Sequence, residues 1–296
     1  MMLKISKTEQ IYQMDKDNQP VAKVTSGSTI EFETADCFND QIRCEKEGIS
    51  SLNWDQINPA TGPIYIEDAK IGDTLKVQIK KIEIADTGVM ATVPGAGLLG
   101  DLVTEPQVKV MKVANGLVHF NEKIKIPTNP MIGVIGVAPA GEGISCGTPD
   151  VHGGNMDNKK ITAGTTLYFP IFTDGALLAM GDLHAVMGDG EIMVSGVEVS
   201  GKVTVQVDVI KNKTIQHPIL ETDSHYYTIA SHVDLLEAVK IATIEMQKLV
   251  MEKLNLSFNE AGMLLSAIGD TEIAQVVDPL LTVRFALSKE ILPDIF

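Results

Sequence analysis

Four side chains able to bind a metal or move a proton fall within ten positions of this chain: Asp182, His184, Asp189 and Glu191. They follow the apolar run Gly175 to Met180. In a strand, residues two apart share a face, so Asp182 and His184 would offer a carboxylate and an imidazole to one ion, with Leu183 turned away. Gly188 and Gly190 permit positive φ around Asp189, which lets Glu191 return to the same site. A mixed oxygen and nitrogen set suits zinc, manganese or iron better than magnesium or calcium. An isolated histidine is more often a hydrogen-bonded core residue; the acids beside His184 favour a ligand instead.

A second polar stretch, Pro139 to Gly154, holds Glu142, Cys146, Asp150 and His152. Asp150 and His152 repeat the spacing of Asp182 and His184, which makes His152 a further candidate ligand. Glu142 and Glu191 are both candidates to carry a proton, a task that needs a carboxyl whose pKa is raised by burial or a neighbouring acid. Cys146 is weighed as a nucleophile, the weaker alternative. His119, His217, His225 and His232 lack comparable company and read as structural; Glu198 and Asp208 read as solvent-facing or structural.

The elements that must position these groups are mostly strands. Leu75 to Ile84 and Lys202 to Val209 alternate apolar and polar residues, as half-buried strands do. Asn115-Gly116, between alternating arms over 108–120, predicts a hairpin with a type I′ turn. Met131 to Ala138, with Gly133 and Gly136 inside it, predicts a buried strand with another backbone close to it. Pro170 marks Thr165 to Phe172 as an edge or bulged strand. The unpatterned stretch from Gly48 to Gly62, which includes Trp54, predicts a loop over a pocket.

Near residue 225 the period changes. Ser231 to Asp234 reads as a capping-box start for a helix running to about Leu254, and Ser257 to Glu260 as the start of a second helix closed by Gly269. A last strand spans Leu280 to Leu287. The expected fold is mixed α+β and β-rich, with sandwich or barrel-like sheets and two C-terminal helices packed on a sheet. The expected division is 1–224, carrying the site, and 225–296, an α/β layer packed on it, the whole forming one domain or two.

Gly153-Gly154-Asn155-Met156-Asp157, Ala163-Gly164, Gly181-Asp182-Leu183-His184 and Gly188-Asp189-Gly190-Glu191, together with Gly62 to Ala69 and Gly72 to Leu75, resemble the acetamidase/formamidase family in order and spacing. The resemblance runs over nearly the whole chain. It implies hydrolysis of a short-chain amide, of acetamide or formamide type, to a carboxylic acid and ammonia. It also makes Asp36, in the loop after an early strand, a candidate metal ligand beside Asp182, His184 and His152. Asn155 would hold the substrate and Asp157 orient a ligand. The chemistry expected is attack by water activated on a divalent metal, with zinc favoured and calcium or manganese as alternatives. The loop 147–152 departs from the acidic form associated with formamidases, which favours acetamide-like substrates. The rival reading is a β-rich protein that binds a metal and a small ligand without catalysis.

Composition narrows the setting. The chain has 296 residues, 44% of them apolar, and a formal net charge of −15. That charge excludes nucleic acid and anionic membranes as partners, since both demand a basic face. No run of about 18 apolar residues predicts a membrane helix, and the first residues lack the apolar stretch of a signal peptide. Cys37, Cys44 and Cys146 are odd in number and lack Cys-x-x-Cys spacing, so reduced thiols and a cytoplasmic location are expected. A homo-oligomer, most simply a dimer, is the expected assembly.

Overall fold

The computed structural model describes residues 2–296. Two open sheets dominate it. The first has nine strands in the order Leu3–Ile5, Thr29–Thr34, Gly201–Ile210, Thr74–Ile84, Thr166–Pro170, Ile219–Glu221, His225–His232, Leu281–Ser288 and Asp270–Gln275. The second has eleven. Its main path runs Lys125–Pro127, Leu117–His119, Gln107–Ala114, Thr87–Thr92, Glu198–Val199, Leu178–His184, Met131–Gly136, Gly153–Asn155, and Ala60–Ile66 branches from Leu178–His184, pairing with Gln10–Ile11 and Ala22–Val24. The β-rich mixed fold expected from the sequence is the fold found.

Alternating strands explain why the sheets stack. Ile30, Phe32, Leu75 and Val77 from the nine-stranded sheet join Ile64, Ile132, Ile135 and Met180 from the eleven-stranded one in a single buried core. Burial of this apolar surface, at roughly 25 cal/mol per Å², is the main force holding sheet to sheet. The hairpin turn is of the expected kind, since Asn115 and Gly116 have φ of 54° and 72°.

Two helices cover the far end of the nine-stranded sheet. Helix α1, Leu235–Leu254, buries Ala238, Ala242, Met246 and Val250, residues at four-residue spacing, against Ala230, Val283, Phe285 and Leu287. Helix α2, Phe258–Ile268, begins with the expected capping box between Ser257 and Glu260. The start of α1 differs from expectation. Asp234 is the N-cap, accepting from Glu237 N, whereas Ser231 stays in its strand and bonds Thr282. The C-terminal strands join the same nine-stranded sheet as the N-terminal ones.

The strand Thr166–Pro170 is interior rather than an edge, paired with Thr74–Ile84 on one side and Ile219–Glu221 on the other. Pro170 is its last residue and lies beyond the three positions paired with Ile219–Glu221. A missing N–H there costs no bond to that neighbour. Among the described residues no helix is long and apolar enough to cross a membrane.

Candidate active site

The strand Leu178–His184 lies in the middle of the eleven-stranded sheet, between Met131–Gly136 and Glu198–Val199. Its C-terminal end presents Asp182 and His184 as the alternation predicts, and Asp182 Oδ1 lies 3.3 Å from His184 Nε2. The neighbouring strand pairs Glu198 with His184 and sets Glu198 Oε2 3.1 Å from the same nitrogen. Asp157, just past the strand Gly153–Asn155, brings Oδ1 to 3.7 Å. Three carboxylates therefore converge on one imidazole nitrogen, and Asp182, Glu198 and Asp157 are all at most 2% exposed.

Two glycines make room for them. A Cβ on Gly133 would stand 2.4 Å from Asp182 Oδ2 and 2.5 Å from Asp157 Oδ1; one on Gly196 would stand 2.4 Å from His184 Nδ1. The expected approach of another backbone is at Gly136, where a Cβ would stand 2.6 Å from His152 O and 2.7 Å from Gly154 N; at Gly133 side chains approach instead. Three of the clustered acids have left-handed backbones, with φ of 39° at Asp157, 53° at Asp182 and 47° at Glu191. Such conformations cost free energy in residues other than glycine, and they collect where geometry serves a site.

Glu191 arrives from the turn that follows. Its Oε1 accepts a hydrogen bond from Gly196 N at 3.1 Å, and its carboxylate, Asp157 and His184 offer ligand atoms within 4.8 Å of one another. Asp278 enters from the segment between the last two strands and accepts from Asn155 Nδ2 at 3.1 Å. The buried Gln275 fixes that segment by accepting from Val277 N and Asp278 N and donating to Leu280 O and Thr282.

The electrostatics follow from burial. Desolvation, reinforced by Glu191 and Asp182, pushes the Asp157 carboxyl well above its usual range. Burial does the same to Glu191 and Asp278, and it lifts Glu198 to about 7 even though His184 pulls the other way. Burial also opposes a charge on His184, but Glu198 and Asp182 outweigh it and hold the imidazole well above its ordinary pKa. For Asp182, burial is outweighed by the charge of His184 and by the nearness of His184 and Glu198, which keep the carboxyl low. A crowd of buried acids around one histidine demands protons or a cation.

The cluster forms one end of a cavity of about 280 Å³. Asn155, Asp182, Glu191, Glu198 and Asp278 line its polar end, and Phe38, Ile49, Trp54, Ile57, Ala91 and Val93 its apolar wall. No lysine or arginine lines it. The stretch 48–62 contributes Trp54 and Ile57, and its last three residues, 60–62, open the strand Ala60–Ile66 rather than continuing as loop.

The remaining candidates lie elsewhere or at the margin. Asp36 is buried behind the cluster, where it accepts from Asp40 N at 2.8 Å; desolvation raises its carboxyl to about 6, with Asp182 adding to the effect. His152 is fully buried but lines no part of this cavity, and desolvation lowers it to about 4. Glu142 is on the surface in a separate groove with Gln13, Asp15 and Lys16. Cys146 packs among Met14, Ala60, Val134 and Ala179, outside the cavity, and burial pushes its thiol up to about 12. Asp189 is a structural anchor, since its carboxylate pairs with Arg284 at 2.7 Å and Lys159 at 2.8 Å.

Glu198 corrects the sequence reading, being buried beside His184 rather than solvent-facing. Val197-Glu198-Val199 reads locally as alternation, so nothing in the sequence marked Glu198 as buried. Asp278 and Cys37 had no local signal; the chain brings them in from afar.

The fit to a divalent cation is testable from the protein atoms alone. Asp157 Oδ1 and Oδ2, Asp182 Oδ1, Glu198 Oε2 and Asn155 Oδ1 are buried and accept no hydrogen bond. Buried polar atoms without partners are costly, and a ligand or ion that engages them removes the cost. One imidazole nitrogen amid carboxylate oxygens fits zinc, manganese or iron.

The sequence matches the model of the acetamidase/formamidase family over residues 6–145 and 140–268. It is similar to the crystal structure of an acetamidase from Bacillus halodurans, with 46% identity, a TM-score of 0.97 and 99% of each chain covered. It is also similar to a protein described as a predicted acetamidase/formamidase from Thermoanaerobacter tengcongensis, with 48% identity and a TM-score of 0.97 over 100% of this chain and 98% of that one. A formamidase from Methylophilus methylotrophus is 26% identical in an alignment that covers 68% of this chain and 65% of that protein. This chain thus spans less than two thirds of the length of that curated relative. By the extent of the family match, the chain belongs to the acetamidase/formamidase family.

Proposed function

We propose that this protein is a metal-dependent amidase that hydrolyses a short-chain amide to its carboxylic acid and ammonia. The observation that carries the reading is the set of buried, unpartnered carboxylate oxygens around His184 Nε2 at the polar end of a cavity with an apolar wall. An amide resists water because its carbonyl is weakly electrophilic and its nitrogen leaves poorly. A divalent cation, zinc by preference, would polarise the carbonyl oxygen and lower the pKa of water to about 7. Asp157, Asp182, His184 and Glu198 are the residues that would hold it.

The chain's own groups supply the rest. Glu191, held neutral-ready by burial and fixed by Gly196 N, takes a proton from water and passes it to the departing nitrogen. Asn155 has one N–H committed to Asp278, leaving its unpartnered Oδ1 to accept from the substrate amide N–H. Phe38, Ile49, Trp54 and Ile57 exclude water and receive a short alkyl group, which favours acetamide over formamide.

Family membership and the resemblance to acetamidase and formamidase structures support this reading. A homodimer in the cytoplasm accords with the unpaired thiols and with large apolar residues left open on the helices, among them Leu236 and Phe258. The test is ammonia release from acetamide, formamide and propionamide by zinc-loaded and chelated protein. Hydrolysis lost on chelation and restored by zinc is expected. Absence of ammonia from all three amides with zinc fully loaded would overturn the proposal.

A further inference from the structure

The cavity contains a second set of ligand atoms, in which Cys37 has no part in the chemistry described above. Cys37 Sγ and carboxylate oxygens of Asp182 and Glu198 all lie within 4.8 Å of one another. Asp157, His184 and Glu191 form a separate set at the same closeness. The two sets share no residue, yet Asp182 and Glu198 stand beside His184 as well as beside Cys37.

Cys37 is held there by backbone. It follows the strand Thr29–Thr34, its carbonyl accepts from Asn58 N at 2.8 Å, and Asp36 before it accepts from Asp40 N. Its side chain, 8% exposed, lines the cavity. Glu198 Oε2 and Asp182 Oδ1, both on residues 2% exposed, accept no hydrogen bond, so the carboxylates that stand between Cys37 and His184 are free to take an ion. Ligand atoms on one zinc-like ion, bonded at about 2.0–2.3 Å, sit well inside the separation seen here.

Charge points the same way. Asp182, Glu191, Glu198 and Asp278 line one end of a cavity that, among the described residues, no lysine or arginine lines, and Asp157 lies beside Glu191 and His184. One dication balances fewer than half of these carboxylates when all are ionised. We propose that Cys37, Asp182 and Glu198 form a second cation site, selective for a thiophilic dication such as zinc or cobalt and sharing its carboxylates with the ion beside His184. The proposal rests on the reading of the cavity as a cation site. Sulfur is what distinguishes the two positions, because thiolate favours zinc, cobalt and cadmium and gives no advantage to magnesium, calcium or manganese. Two neighbouring dications would allow an amide oxygen and water to be engaged by different ions.

Titration of the metal-free full chain with cobalt tests this. Wild type should bind two equivalents, with a near-ultraviolet thiolate-to-cobalt charge-transfer band. Cys37→Ser should bind one equivalent and lose the band, although Cys44 and Cys146 remain; circular dichroism and Tm check its fold. His184→Ala should lose an equivalent and keep the band, so the result does not hang on one variant. A single equivalent in wild type, with or without the band, overturns the second site and leaves the cation reading standing. Two equivalents and an unchanged band in folded Cys37→Ser also overturn it. Binding of no cobalt overturns both readings together.

Discussion

The guanidinium of Arg284, fully buried in the last strand of the nine-stranded sheet, holds the Asp189 carboxylate at 2.7 Å. The same side chain bonds Glu272 at 2.6 Å and Asn158 at 3.0 Å. Gly190 completes the strap, donating to Ala274 O at 2.7 Å and accepting from Val276 N at 3.2 Å. The turn that delivers Glu191 is thus tied to the C-terminal strands, and so is the segment that delivers Asp278. Glu191 and Asp278, the acids that this strap positions, are therefore placed by the C-terminal strands.

Arg284→Met should therefore weaken both fold and site. Removing one partner of a buried pair strands the others, at about 3–5 kcal/mol for full burial. Asp189 and Glu272 are about one third exposed, so solvent screening reduces the expected loss to about 2–3 kcal/mol. Urea unfolding gives that number directly. A wild-type midpoint together with wild-type zinc affinity would contradict the role assigned to this strap.

Gly133→Ala tests the cradle from the opposite side. The added methyl carbon would meet Asp182 Oδ2 at 2.4 Å and Asp157 Oδ1 at 2.5 Å, distances no real contact sustains. The carboxylates must shift, while the strand itself, paired on both sides, stays formed. Zinc affinity should fall by about tenfold or more, the loss associated with misplaced ligand geometry. Isothermal titration of zinc into the folded variant measures it, and unchanged affinity would dissociate Asp157 and Asp182 from the ion.

Glu191→Gln should lower kcat about 10²-fold or more, the usual scale for loss of a general acid or base. Glu142→Gln, in its separate groove, should hydrolyse at the parental rate. Zinc content distinguishes proton transfer from ligation: retained zinc assigns the loss to the proton, and lost zinc makes Glu191 a ligand. Full activity in Glu191→Gln would remove it from the reaction.

Local pattern made much of this legible. Period-two alternation located the strands Thr74–Ile84 and Gly201–Ile210, and the two-residue spacing of Asp182 and His184 told which face they share. What the pattern could not convey was convergence. Glu198 meets His184 only because antiparallel register sets the two opposite each other, and Asp278 meets Asn155 from 123 residues away. The left-handed backbone at Asp182 likewise has tertiary causes, since the residue carries no glycine's freedom. Glu142 shows the converse, a suitable residue type placed in a separate surface groove, and His152 is buried without lining the cavity.

The same cluster sets the response of stability to pH, and its sign can be worked out. Folding raises the carboxyls of Asp36 to about 6 and Glu198 to about 7, and lifts Asp157, Glu191 and Asp278 as well, all chiefly by burial. Acids so raised bind protons more tightly in the folded chain, so metal-free protein gains stability as pH falls from about 7 toward about 4. His184, raised by Glu198 and Asp182 against burial, adds stability present below its unfolded pKa and lost as pH rises through its folded one. His152 opposes them, because burial lowers it to about 4 and stability from that group is lost as pH falls from about 6.5. With more groups raised than lowered, and a net charge of −15 repelling itself at neutral pH, metal-free protein should melt higher at about pH 5.5 than at about pH 8. Zinc must reverse the order, since protons compete with it for the same oxygens and the same imidazole. Melting curves at the two pH values, with chelator and with excess zinc, measure both slopes. Parallel slopes in the two series would mean that zinc does not bind through the buried acids.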